Sequence, residues 1–190
     1  MTKFKCFILT VLFFSFSISS FAADPVKVKM TTTKGDIILE LYPDKAPVTV
    51  KNFVNYADMN FYDKTIFHRV INDFMIQGGG FTDAENRKET QSPIKNEADN
   101  GLKNDRGTIA MARTRDPHSA TAQFFINLKN NDFLNHTRKS INGWGYTVFG
   151  KVTGGMEVVD TIARVKTTKK GRQQNLPVET IYIEDVVIMK

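Results

Sequence analysis

The sequence predicts a mostly β fold, an antiparallel sheet of about eight strands closed into a barrel, with about two α-helices capping its ends. Three observations carry this. Apolar and polar residues alternate near both ends of the mature chain, with several short apolar runs between them. Only the stretches around Val50–Ala57 and Met156–Ala163 carry helical spacing instead. No repeat or linker divides the chain, and an antiparallel sheet of this size avoids exposed edges most simply by closing on itself.

Lys3 and Lys5 give the chain a positive start, Cys6 to Ile18 is an apolar run, and Ser20-Phe21-Ala22 offers small residues where a signal peptidase cuts. Residues 1–22 therefore read as a cleaved export signal and residues 23–190 as one domain, with cleavage after Ala23 as second choice. The apolar run is short for a membrane span, so no stable membrane insertion is expected once the signal is removed. The only cysteine, Cys6, goes with it, which excludes a disulfide, a thiolate nucleophile or a cysteine metal site in the mature chain.

Lys27 to Thr33 alternates, Lys34-Gly35 marks a turn, and Asp36 to Tyr42 resumes the alternation, which predicts a hairpin. Pro43 ends it. A helix follows from Ala46-Pro47, with Asp44 as its cap and Val50, Phe53, Val54 and Ala57 as its apolar stripe. Thr65–Val70 and Phe74–Gln77 read as short strands joined at Asn72-Asp73. Gly79 to Arg106 is polar and aperiodic, which in a compact domain marks a functional or mobile segment. Gly107–Ala112, Gln123–Leu128 and Thr147–Val152 read as strands, Gly155–Val165 as the second helix, and Thr180–Met189 as a last strand with Ile181, Ile183 and Val187 inward.

The chemistry concentrates in Phe67-His68-Arg69-Val70-Ile71-Asn72-Asp73-Phe74-Met75-Ile76-Gln77-Gly78-Gly79-Gly80. An arginine in apolar company is costly unless it is paired or working, and the glycines permit close approach of backbone or ligand. A snorkelling surface arginine would look the same in isolation. The second stretch, Met111-Ala112-Arg113 and then Ala122-Gln123-Phe124-Phe125-Ile126, puts Gln123 and Phe125 on one strand face. Asp132-Phe133-Leu134 and Gly143 to Gly150 add further apolar and aromatic residues.

Together these motifs resemble the cyclophilin family of peptidyl-prolyl cis–trans isomerases, in order, from about Val26 to Lys190. The resemblance implies an eight-stranded antiparallel barrel with two helices, and no cofactor. It makes Arg69 the catalytic arginine and Gln77 its polar partner. It assigns Phe74, Met75, Phe125 and Leu134 to an apolar proline pocket, and Ala112, Arg113 and Gln123 to a groove for peptide backbone. Phe133 stands where many members carry a tryptophan, so weak cyclosporin binding is expected. Tyr146 replaces the usual pocket histidine, and Arg113 an asparagine, as in bacterial members. The implied partners are proline-containing unfolded or nascent exported polypeptides met by a monomer in the periplasm, with full secretion as second choice. A proline-peptide binding or chaperone module with little turnover is the alternative.

Composition narrows the rest. Hydrophobic residues make up 41% and charged residues 24%, ordinary for a globular domain. Removing Lys3 and Lys5 leaves 24 basic against 20 acidic residues, a charge of +4. Read as scattered, that charge gives no nucleic-acid site. His68, His118 and His136 lack ligand spacing, so no metal site is expected.

Overall fold

The computed structural model describes residues 23–84, 86–171 and 173–189. The export signal read in residues 1–22 lies outside the described residues. In chain order the elements are β1 (Val26–Thr32), β2 (Gly35–Leu41), α1 (Pro47–Asp58), β3 (Thr65–Ile66), β4 (Arg69–Ile71), β5 (Met75–Gly78), β6 (Thr108–Met111) and β7 (Phe124–Asn127). A 3-10 turn (Asp132–Leu134), β8 (Val148–Gly154), α2 (Met156–Ala163), β9 (Thr167–Lys170), β10 (Gln173–Pro177) and β11 (Tyr182–Ile188) complete them.

Nine strands form one antiparallel sheet in the order β3-β11-β1-β2-β8-β6-β7-β5-β4, and β9 and β10 form a separate two-stranded ribbon. The expected closed barrel is thus corrected to an open, strongly curled half-barrel. Its edges are β3 and β4, successive in the chain yet not paired with each other. The groups that closure would use are already taken: Ile66 N donates to Phe81 O at 2.8 Å and Phe67 N to Ile181 O at 3.0 Å. The predicted Thr65–Val70 strand is split at the same place, by Phe67-His68.

One face of the sheet and both helices enclose the main core. The hairpin contributes Val28, Met30, Ile37, Leu39 and Leu41, all fully buried, as its alternation predicted. α1 lays Phe53 against Tyr62, Phe124 and Phe149, with ring centroids 4.9 to 5.8 Å apart. Asp44 does not cap this helix. Its first amides are instead capped from the polar segment: Glu97 accepts from Val48 N at 3.1 Å and, through its other oxygen, from Thr49 N at 2.8 Å. In β11 the inward residues are Ile183 and Val186, whereas Val187 is 40% exposed. The pairing with β1 slips between Thr31 and Thr32, so a bulge shifts the alternation by one residue beyond Ile183.

The segment after Gly79 is held by side chains rather than by a ladder. Asn96, 4% exposed, donates from its Nδ2 to Pro117 O and Gly145 O and accepts from Ala98 N. Asn104 and Asn127 do the same work beneath the site described next.

Candidate active site

Strand alternation gives the central strands two different faces. Ile76, Phe124, Ile126, Ile109 and Met111 point into the main core, while Met75, Phe125, Ala110 and Val148 form a second cluster on the opposite face with Leu134. Phe74 and Tyr146 pack against that second cluster. The site is built on this face, where β4, β5 and β7 lie side by side. Arg69 pairs across the ladder with Gln77, and Gln77 with Phe125.

A pocket of about 120 Å³ opens here, lined by Arg69, Phe74, Met75, Gln77, Ala112, Arg113, Phe125, Leu134 and Tyr146. Nine of the eleven residues expected at the site therefore meet around one cavity. Gln123 stands just behind it, lining an adjoining recess that shares Gln77, Ala112 and Arg113 with the pocket. Phe133 lies outside the cavity lining. It is 73% exposed and contributes only a rim, stacking on Phe74 at 5.7 Å. The 3-10 turn explains this, since it aims Leu134 inward and leaves its neighbour facing out.

Phe74 and Met75 share the cavity without any bulge in a strand. β5 begins only at Met75, and Phe74 belongs to the preceding turn, where Asp73 adopts φ of 56°. Freed from strand alternation, Phe74 turns to the same side as Met75. The strand predicted for Phe74–Gln77 thus begins one residue later, at Met75.

Arg69 is half-buried, and burial lowers its proton affinity, though guanidinium stays charged. Among the described residues no carboxylate forms an ion pair with it. Its nearest polar partner is Gln77 Oε1, 3.5 Å from Nη1, a long contact that leaves most of the fork available. Met75 Sδ lies at 4.0 Å and the Phe74 ring centre at 5.9 Å. Gln77 is itself oriented, donating from Nε2 to Gln123 Oε1 at 3.1 Å. Arg113 lies over the Tyr146 ring at 4.5 Å and donates from Nε to Gly145 O at 2.9 Å, so its side chain is a wall of the pocket. Tyr146 in turn packs edge-on against Phe125, 5.6 Å between ring centres.

Sequence reasoning missed the scaffold behind the pocket. Asn131 Nδ2 donates to Phe74 O at 2.9 Å and to Asn127 Oδ1 at 2.8 Å. Asn127 Nδ2 reaches Asn104 Oδ1 at 3.3 Å, and Asn104 Nδ2 reaches Leu134 O at 3.2 Å. These three asparagines, at most 1% exposed, tie the backbones of two opposite pocket walls together. The available signal was asparagine recurring beside apolar strands, where a purely structural core would be apolar. The three histidines stay apart from the pocket, and no group of potential metal ligands occurs among the described residues.

Comparison with known proteins agrees with this geometry. The family model described as cyclophilin type peptidyl-prolyl cis-trans isomerase matches residues 27–188. A peptidyl-prolyl cis-trans isomerase of Streptomyces antibioticus is 59% identical over 162 residues, covering 85% of this chain and 98% of that one. Peptidyl-prolyl cis-trans isomerase B of Escherichia coli is 58% identical over 161 residues, with the same two coverages. Peptidyl-prolyl cis-trans isomerase A of Dickeya dadantii is 51% identical over 184 residues, 96% of this chain and 95% of that one. Among solved structures, a Cryptosporidium parvum cyclophilin type peptidyl-prolyl cis-trans isomerase crystallised in the presence of the dipeptide Ala-Pro superposes with a TM-score of 0.74 at 30% identity, covering 86% of this chain and 99% of that one.

Proposed function

The chain belongs to the cyclophilin-type peptidyl-prolyl cis–trans isomerases, and from that premise we propose that it is an exported folding catalyst in which Arg69 acts on the prolyl nitrogen. The activity itself is rotation about Xaa-Pro peptide bonds of proline-containing polypeptides. The observation that carries the assignment of roles is the cross-strand pair of Arg69 and Gln77 at the mouth of an apolar pocket, with no carboxylate paired to the arginine among the described residues.

A peptide bond resists rotation because the nitrogen lone pair is shared with the carbonyl, giving a barrier of ~18–20 kcal/mol. No bond breaks on isomerisation. In the twisted transition state the resonance is lost and the nitrogen regains a basic lone pair. A donor aimed at that nitrogen binds the transition state better than either planar state, which is the condition for catalysis. Arg69 suits the task because its charge is permanent and its donors are rigidly arranged.

Arginine alone is insufficient. A ten-thousand-fold acceleration needs about 5.5 kcal/mol, whereas a hydrogen bond to a charged group contributes roughly 1.5–3 kcal/mol. The twisted amide is less dipolar than the planar one, so an apolar surrounding disfavours it less. Phe74, Met75, Phe125 and Leu134 supply that surrounding and grip the ring while the acyl side turns. Arg113 and Gln123 line the adjoining recess, where the flanking backbone of the peptide would lie.

Export to a bacterial periplasm rests on the leader in residues 1–22, as does the expectation of unfolded exported clients. A monomeric state and weak cyclosporin binding complete the proposal, the latter because Phe133 at the rim has no indole N–H to donate. The deciding experiment follows exchange of a short Ala-Pro peptide by NMR with the mature protein and with Arg69→Ala. Exchange lost in a folded variant supports the role given to Arg69. Undiminished exchange overturns it.

A further inference from the structure

The positive charge of the mature chain is not scattered. Between Asp160 and Glu179 the sequence contains Arg164, Lys166, Lys169, Lys170 and Arg172 and no acidic residue. The mature chain has 24 basic and 20 acidic residues, so with these five set aside 19 basic residues face 20 acidic ones. One stretch carries the whole excess.

The fold puts the described part of that stretch on an exposed ribbon and the turn before it. β9 and β10 form a ribbon outside the nine-stranded sheet, and every residue of β9 is exposed, as is Lys166 before it. The ribbon lies along β4 through β10, where Leu176 packs with Ile66, Ala84 and Phe81, and turns β9 outward. Among the described residues, no ion pair involves Arg164, Lys166, Lys169 or Lys170, although other lysines of the chain do find carboxylates. No acidic residue occurs within β9 or β10, the two strands of the ribbon. The recess at its base, lined by Thr168, Lys170, Leu176 and Asp83, shares no residue with the proline pocket.

We infer that this ribbon is an electrostatic contact that seats the domain on an anionic phospholipid surface. Lysine presents a compact, hydrated point charge, suited to an array of headgroup phosphates rather than to bidentate recognition of one group. The stretch has no aromatic residue to stack on a base and no large apolar tip to enter a bilayer. It therefore fits peripheral attachment without insertion. The inference rests on the export proposed above, under which a lipid surface, rather than nucleic acid, is the polyanion the mature chain meets. Since the proline pocket shares no lining with the ribbon, a seated domain keeps its site open to chains emerging at that surface. The inference does not rest on the roles given to Arg69 or Gln77.

The test is flotation of the mature protein with vesicles of phosphatidylcholine, with and without about one-third phosphatidylglycerol, each basic group near such a surface being worth about fivefold in partition. Binding to the anionic vesicles alone, weakening as salt rises, is expected. Lys166→Gln/Lys169→Gln/Lys170→Gln should lower the partition about a hundredfold while exchange of the Ala-Pro peptide stays unchanged, which also reports that the variant is folded. A matched variant, Lys51→Gln/Lys95→Gln/Lys103→Gln, removes equal charge from exposed sites elsewhere and should bind as the parent does. Equal losses in the two variants, undiminished binding of the ribbon variant, or no binding at low salt would each overturn the inference. Tighter binding to a DNA duplex than to the vesicles would reassign the ribbon to nucleic acid.

Discussion

Arg69 must be an arginine and not merely a cation. Its Nη1 faces Gln77 Oε1 at 3.5 Å while the rest of the fork is turned to the pocket, so one planar group meets a fixed partner and a substrate together. Lysine at this position keeps the charge but replaces the fork by a single flexible ammonium. Arg69→Lys is expected to lower kcat/KM for prolyl exchange by at least about tenfold, or ~1.4 kcal/mol of transition-state stabilisation. NMR exchange on a folded sample measures it, and parental activity would show that charge alone suffices. Gly80 sets the other end of the same chain of contacts. A Cβ there would come within 2.7 Å of Gln123 Cδ and Nε2, so Gly80→Ala must displace the side chain that orients Gln77. Exchange should slow with little change in urea midpoint; a loss of stability without a loss of rate would refute this positioning role. Arg69, Phe74, Met75, Gln77 and Phe125 were legible in the sequence because the motifs that hold them resemble the cyclophilin family. How Phe74 comes to share a side with Met75 was not legible, because it depends on Asp73 adopting a left-handed conformation that no periodicity encodes.

Elements in this chain are completed by groups distant in sequence. α1 begins at Pro47 without a side-chain cap from its own flank, and Glu97 supplies the acceptors, bonding Val48 N, Thr49 N and Thr49 Oγ1 at 2.8 to 3.1 Å. A carboxylate at a helix N-terminus also opposes the positive end of the dipole. Glu97→Ala should therefore destabilise the domain by about 1–2 kcal/mol, as loss of a cap does. The check is a lower urea midpoint at unchanged m-value, and an unchanged midpoint would mean that water replaces the carboxylate at no cost. Local rules pointed instead to Asp44, the nearest acid before the helix, because a partner some fifty residues onward has no local signature. The same limit concealed the asparagine scaffold and the β9–β10 ribbon. Thr167 to Lys170 is polar throughout, so its strand lacks the alternation by which β1 and β2 were recognised.

At the scale of the molecule the sheet is an open half-barrel that ends at β3 and β4, and the two residues between them in the chain, Phe67 and His68, join its edges. Composition and alternation made a curled β fold legible, but closure depends on whether the edge amides are free, and those of Ile66 and Phe67 are bound elsewhere. Phe67 fills this junction from the core side. His68 is 3% exposed, lies against Phe81 at 4.6 Å, and has a buried Nδ1 without a hydrogen-bond partner among the described residues. Burial, aided by the positive charges of Arg69 and Arg87, lowers its pKa from 6.5 to about 4, against a smaller opposing effect of a backbone hydrogen bond with Ile66. The sign follows from proton counts. As pH falls below 6.5 the unfolded chain protonates this imidazole and the folded chain does not, so stability present above 6.5 is lost progressively until pH about 4. At about 1.4 kcal/mol per pKa unit, the whole window corresponds to about 3 kcal/mol. Carboxylates begin to contribute at its acid end, so urea unfolding is best compared between pH 7 and about 5. The parent should lose stability across that interval. His68→Gln, which cannot titrate, should start lower or equal at neutral pH and lose distinctly less on acidification. Parallel curves for the two proteins would mean that the junction opens to water and lets the imidazole protonate as freely folded as unfolded.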